Sequence, residues 1–149
     1  LRPPQIKQET ISESVAVKEK FVSIDFKEAG LRKVLNRGHT FGHALESLRL
    51  AQGNSITHGA AVIQGLHLAL ELSGLLEEQQ LLADSYSWSP ISDAESELLW
   101  ELQRADKKNE DGMVKFVLLS SVGHPNYGNT ITKAEWCASL AALNGRKDG

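Results

Sequence analysis

At 149 residues, with 41% hydrophobic side chains and a net charge of -3, the chain has the size and apolar content of one folded domain, which buries roughly two thirds of its unfolded surface. Its 16 Lys and Arg against 19 Asp and Glu form no basic tract, which argues against DNA, RNA or an anionic membrane as partner. Cys137 is the single cysteine, so there is no internal disulfide framework and a reducing, cytoplasmic setting is expected; the longest apolar run, about Ala60 to Leu72, is broken by Gln64, His67 and Glu71 and does not read as a membrane span.

From Gln5 to Phe26, the residues Ile6, Ile11, Val15, Phe21 and Val22 recur mainly at three- and four-residue steps, which predicts an amphipathic helix. A second helix is expected from about Glu28 to Leu50, ending in the turn-rich "AQGNSIT". A third begins near His58 and runs through "GAAVIQGLHLALELSG"; it is apolar almost all round, the mark of a buried central helix, and Gly74 ends it. "LLEEQQLLA" reads as a short fourth helix and "SYSWSP" as a connection. Ser92 followed by Glu95, and later Thr132 followed by Glu135, are capping-box starts for helices through about Ala105 and Leu143. Between them, "MVKFVLLS" has the composition of a strand or a short hairpin partner, "GHPNYGN" that of the following turn, and the final "NGRKDG" is expected to fray. The fold class is mainly α: one helical domain over residues 1–149 with one short β element near the C-terminus.

The chemistry concentrates on the second helix. At about 100° per residue, Glu28, Arg32, Asn36, His39, His43 and Glu46 fall within an arc of about 80°, while Val34, Phe41, Leu45 and Leu48 occupy the opposite, core-facing side. Gly38 and Gly42 sit on a flank, where a missing side chain lets another backbone approach. Each costs about 1 kcal/mol relative to alanine inside a helix, so close packing or ligand access should offset it. A polar helix face is often merely solvated, but such faces favour Lys, Glu and Gln. Arg, Asn and two His are groups that bind metals and oxyanions directionally. Two imidazoles four residues apart can share a divalent ion, yet a catalytic zinc site normally takes three protein ligands. His58, opening the third helix after a loop, is the candidate to fold back toward His39. His67, inside the apolar helix, reads as a satisfied core histidine, and His124 as an exposed turn residue.

The strings "SVAVKEKFVSIDFKEAGLRKVLNRGHTFGHALE", "HGAAVIQG" and "DKKNEDGMVKFVLLSSVG" resemble the helical C-terminal domain of 3-dehydroquinate synthase, and the likeness runs along nearly the whole chain. The resemblance implies zinc, or cobalt, bound by His39 and His58, and His43 and Glu28 as proton-transferring catalytic residues. It implies that Lys18, Arg32, Asn36 and one of Lys107 and Lys108 contact the substrate. The implied reaction converts 3-deoxy-D-arabino-heptulosonate 7-phosphate to 3-dehydroquinate and phosphate, in the shikimate pathway of aromatic amino acid biosynthesis, with NAD reduced and reoxidised in each turnover. The family's NAD site lies in an N-terminal α/β domain, and a third zinc ligand, a glutamate, lies before the first helix of this chain. This chain starts at Leu1 and carries no dinucleotide fingerprint, so the expectation is a C-terminal portion of a longer enzyme, inactive alone, with that N-terminal domain as partner and a homodimer as the assembly.

Three positions depart from the family pattern. Ala60 stands in "HGAAV" where an acidic residue is usual, which removes support beside a zinc ligand. The loop "LRLAQGNSIT" before His58 differs from the common form, and Arg37 replaces an apolar residue or proline, directed away from the stripe. Two other readings stand beside the leading one: another sugar phosphate cyclase closing a different ring, or a non-catalytic helical binding module that keeps the fold.

Overall fold

The computed structural model describes residues 7–26, 35–105 and 113–146, with the side chain of Tyr127 left aside. The chain divides into two compact units, Leu1–Leu35 and Asn36–Gly149. The first unit holds α1, Gln8–Ile24, closed by the Asp25 N–H donating to the Phe21 carbonyl. Its apolar positions recur as expected, but no residue of α1 is buried: Ile11 and Val15 stay about half exposed, and Phe21 and Val22 are partly covered.

The second unit runs α2 (His39–Ala51), α3 (His58–Leu72), α4 (Leu76–Ala83), α5 (Asp93–Arg104), β1 (Val114–Ser121), β2 (His124–Ile131) and α6 (Lys133–Gly145). Among the described residues, no helix is long and apolar enough to cross a membrane. The expected capping boxes form at both sites, with Ser92 and Thr132 accepting from the Glu95 and Glu135 backbones and each glutamate reaching back. The predicted inner face of α2 is buried through Phe41, Leu45 and Leu48. These join Leu68, Leu99, Trp100, Phe116 and Leu140 around Trp136, whose ring centroid lies 5.6 Å from Phe41, 5.7 Å from Trp100 and 6.4 Å from Phe116. The Trp136 indole N–H is satisfied inside this core by the Ser96 hydroxyl at 2.9 Å.

Three expectations are corrected. The second helix begins at His39 rather than running unbroken from about Glu28, because Gly38 takes a left-handed conformation (φ 75°) at the helix start. Asn36 therefore precedes the helix and does not share its face with His39 and His43; residues 27–34 lie outside the described residues. Second, "HPNYGN" is a strand. The β element is an antiparallel hairpin with Val122–Gly123 at its tip, and the turn-forming residues of β2 are taken up by a bulge, at which Gly128 (φ 72°) lies between the pairings of Asn126 and Asn129. Third, Asn144 and Arg146 are held rather than frayed. The Asn144 side chain accepts from Trp88 Nε1 (2.9 Å) and the Ile91 N–H (3.1 Å) and donates to the Ile91 carbonyl (2.7 Å), and Arg146 donates to Gln79 (2.7 Å).

The arrangement that matters most is the α2–α3 crossing. A Cβ on Gly65 would lie 1.9 Å from the Gly38 carbonyl oxygen, one on Gly38 2.8 Å from the Val62 oxygen, and one on Gly42 3.2 Å from the Ala61 oxygen. The two backbones thus meet directly, without intervening side chains, which supplies the compensation expected for the helix glycines. The contacts at 38, 42 and 46 along α2 fall on α3 at 65, 61 and 58, so α3 runs back across α2 and brings its first residue, His58, to Glu46.

Candidate functional site

The glycine-to-glycine approach places His39 and His43, on the first turns of α2, beside His58, the first residue of α3. The ring centroids form a near-regular triangle: His39 to His43 5.6 Å, His39 to His58 5.3 Å, His43 to His58 5.7 Å. Each α3 feature that sets His58 is local. Thr57 caps the helix by accepting the Ala60 N–H (3.3 Å), which fixes where the chain turns out of the loop.

Hydrogen bonds assign the ring nitrogens. His39 Nδ1 lies 3.1 Å from the Arg37 carbonyl oxygen, which can only accept, and His58 Nδ1 lies 3.0 Å from Glu46 Oε2. In the neutral rings both protons therefore sit on Nδ1 and both Nε2 atoms keep a lone pair, the pattern of metal-binding imidazoles. The spacing also suits a shared ion: with Zn–N at about 2.1 Å, two imidazoles at a tetrahedral angle have ring centroids about 5.4 Å apart. The residues present thus fit a divalent, nitrogen-preferring cation. Among the described residues, His43, Glu46 and His58 form a three-donor cluster whose ligand atoms lie within 4.8 Å of one another; His39 is not one of the three and stands beside them by its ring contacts with His43 and His58.

The remaining candidates are placed as follows. Asn36 is exposed in the turn before Gly38, and Lys18 is exposed on α1 in the other unit. Glu28, Arg32, Lys107 and Lys108 lie outside the described residues. Arg37 meets the site through its carbonyl; its guanidinium is partly buried, and that desolvation holds its pKa below the ordinary value. His67 is a core histidine as expected: wholly buried, it donates through Nε2 to the Tyr86 carbonyl (2.7 Å), and its Nδ1 accepts from Gln79 (3.2 Å). His124 is exposed, with Nδ1 3.0 Å from the Ser121 hydroxyl.

Glu46 is the residue whose part the sequence leaves unassigned. It stands on the same stripe, three residues after His43, but its pairing to His58 depends on how α3 crosses α2, which no single-helix projection contains. Ala60 offers no side-chain acceptor near the start of α3, and the carboxylate beside His58 comes from Glu46 on α2.

The family model described as 3-dehydroquinate synthase C-terminal matches residues 2–109. The chain is 39% identical over 139 residues to the 3-dehydroquinate synthase of Parabacteroides distasonis, covering 87% of this chain and 39% of the relative. It is 36% identical over 151 residues to that of Dehalococcoides mccartyi, covering 95% and 41%. With the Oceanobacillus iheyensis enzyme it shares 44% identity over 120 residues, covering 74% and 33%. The chain thus spans about two fifths or less of the length of these curated relatives. Among solved structures, the 2-epi-5-epi-valiolone synthase of Streptomyces hygroscopicus, with NAD+ and Zn2+ bound, superposes with a TM-score of 0.71 at 21% identity over 93% of this chain and 40% of that one, a likeness of fold. The chain belongs to the 3-dehydroquinate synthase C-terminal family.

Proposed function

We propose that the chain is the metal- and substrate-binding portion of a 3-dehydroquinate synthase, acting in the cytoplasm on 3-deoxy-D-arabino-heptulosonate 7-phosphate. The reading is carried by one observation: three imidazoles at mutual centroid distances of 5.3–5.7 Å, two of them with Nδ1 engaged by an oxygen acceptor. His39 and His58 would hold zinc, or cobalt, through Nε2. When bound, such an ion supplies Lewis acidity toward a sugar hydroxyl or carbonyl oxygen. His43, exposed beside them, would hold or pass a proton, with Glu28 as its counterpart. Lys18, Arg32, Asn36 and a lysine at 107 or 108 would bind the carboxylate, phosphate and hydroxyls of a multiply anionic substrate, because charged and directional donors orient such groups. NAD would be held mainly by an N-terminal α/β domain, consistent with the share of the relatives' length that this chain covers.

Calorimetric titration of the zinc-loaded chain with 3-deoxy-D-arabino-heptulosonate 7-phosphate tests the substrate class. The expected result is binding that disappears when the metal is removed. Zinc uptake with no affinity for this sugar acid would overturn the substrate, and preference for a sugar phosphate lacking the carboxylate would favour a different cyclase.

A further inference from the structure

The geometry points to Glu46 as the positioning residue of this site, and we propose that it sets His58 for metal binding without coordinating the ion itself. The inference rests on the metal reading above and adds a residue to it.

His58 is the first residue of α3, directly after a loop, and its side chain is 55% exposed, so little packing restrains the ring. The restraint comes from Glu46, whose Oε2 lies 3.0 Å from His58 Nδ1 and whose own side chain is 30% exposed. Glu46 is itself well anchored. It is two turns along α2 from the Gly38–Gly65 contact and one turn from the Gly42–Ala61 contact, so the backbone bearing the carboxylate is fixed against α3 before any ion arrives. By accepting the Nδ1 proton, the carboxylate selects one tautomer, raises the basicity of Nε2 and limits rotation of the ring.

Distance decides between this role and that of a ligand. Nδ1 and Nε2 lie on opposite edges of the imidazole, about 2.2 Å apart, with lone-pair directions diverging by roughly 140°. An ion on Nε2 at about 2.1 Å is then about 7 Å from an oxygen hydrogen-bonded to Nδ1. The second carboxylate oxygen comes no nearer than about 5 Å, far beyond the 2.0–2.2 Å of a Zn–O bond. Glu46 therefore either orients His58 or, with the ring turned over, replaces that hydrogen bond by coordination. The observed pairing favours the first.

The test measures zinc affinity of the full chain by chelator competition in wild type, Glu46→Ala and Glu46→Gln, together with long-range 1H–15N spectra of the histidine rings. In Glu46→Ala the zinc Kd should rise about 10- to 100-fold, and Glu46→Gln, which keeps an accepting oxygen, should fall between. The zinc-loaded wild type should show His58 protonated at Nδ1 and metal-bound at Nε2, a signature that a general loss of folding would not produce. A Kd in Glu46→Ala within about twofold of wild type, or His58 bound through Nδ1, overturns the proposal. If zinc binding is lost in His58→Ala but untouched in Glu46→Ala, only the role of Glu46 fails; no zinc uptake by wild type refutes the metal reading and this inference together.

Discussion

The substitution Gly65→Ala probes the physical basis of the site without touching any polar group in it. An alanine Cβ at position 65 would stand 1.9 Å from the Gly38 oxygen, 2.7 Å from its carbonyl carbon and 2.8 Å from its Cα, where 3.0 Å is already closer than real Cβ atoms come. All three obstacles are backbone, so no rotamer change relieves them, and α2 must move outward by more than 1 Å at the crossing. Overpacking a core costs about 1–3 kcal/mol, occasionally more, and a backbone-on-backbone clash belongs at the upper end or beyond. Alanine returns up to about 1 kcal/mol of helix propensity. The net expectation is a loss of about 2 kcal/mol or more, which at this size lowers Tm by about 6 °C or more. Thermal unfolding followed by circular dichroism reads this directly, and zinc affinity should fall with it, because the displacement separates His39 and His43 from His58. Gly59→Ala is the control: nothing lies within 4 Å of its added Cβ, so it should be neutral or slightly stabilising. If Gly65→Ala melts with wild type and binds zinc equally well, the backbone crossing does not set the histidine triangle.

Other expectations follow from single contacts. His67→Ala orphans the Tyr86 carbonyl and Gln79 in the core and should cost about 3 kcal/mol in denaturant unfolding, with zinc affinity unchanged. Asn144→Ala removes three hydrogen bonds that tie Trp88 and Ile91 to α6 and should cost about 2–3 kcal/mol, visible as earlier solvent exposure of tryptophan in fluorescence. The Arg49 guanidinium, with the Ser92 backbone N–H, lowers the Glu95 carboxyl from 4.5 to about 2. This pair is four-fifths buried and links α2 to α5; because the folded value is depressed, its contribution of at most about 3 kcal/mol is present above pH 4.5 and lost as pH falls from there toward 2. Glu95→Gln should flatten the stability profile across that window, and a profile parallel to wild type would exclude this source.

What the sequence made legible is what local rules encode. The capping boxes at Ser92 and Thr132, the buried face of α2 through Phe41, Leu45 and Leu48, the start of α3 at His58 and the core setting of His67 all follow from spacing and residue type within one segment. The features that escaped depend on contacts between segments. A helix-period pattern passes smoothly through Gly38, and only the close approach of Gly65 shows why that residue adopts positive φ and starts a new helix. The turn-like residues of β2 become strand because β1 offers a pairing partner, and Asn144 is ordered because Trp88 and Ile91 come to it. The same division holds in the site. His39 and His43 were visible as a pair, whereas the pairing of Glu46 with His58 exists only once α2 and α3 cross.

The most direct measurement is anomalous diffraction at the zinc edge from crystals of the zinc-soaked chain. One peak is expected, bonded at about 2.0–2.1 Å to Nε2 of both His39 and His58, with Glu46 hydrogen-bonded to the far side of the His58 ring. A peak held by other residues, or no ordered zinc between those two rings, would contradict it.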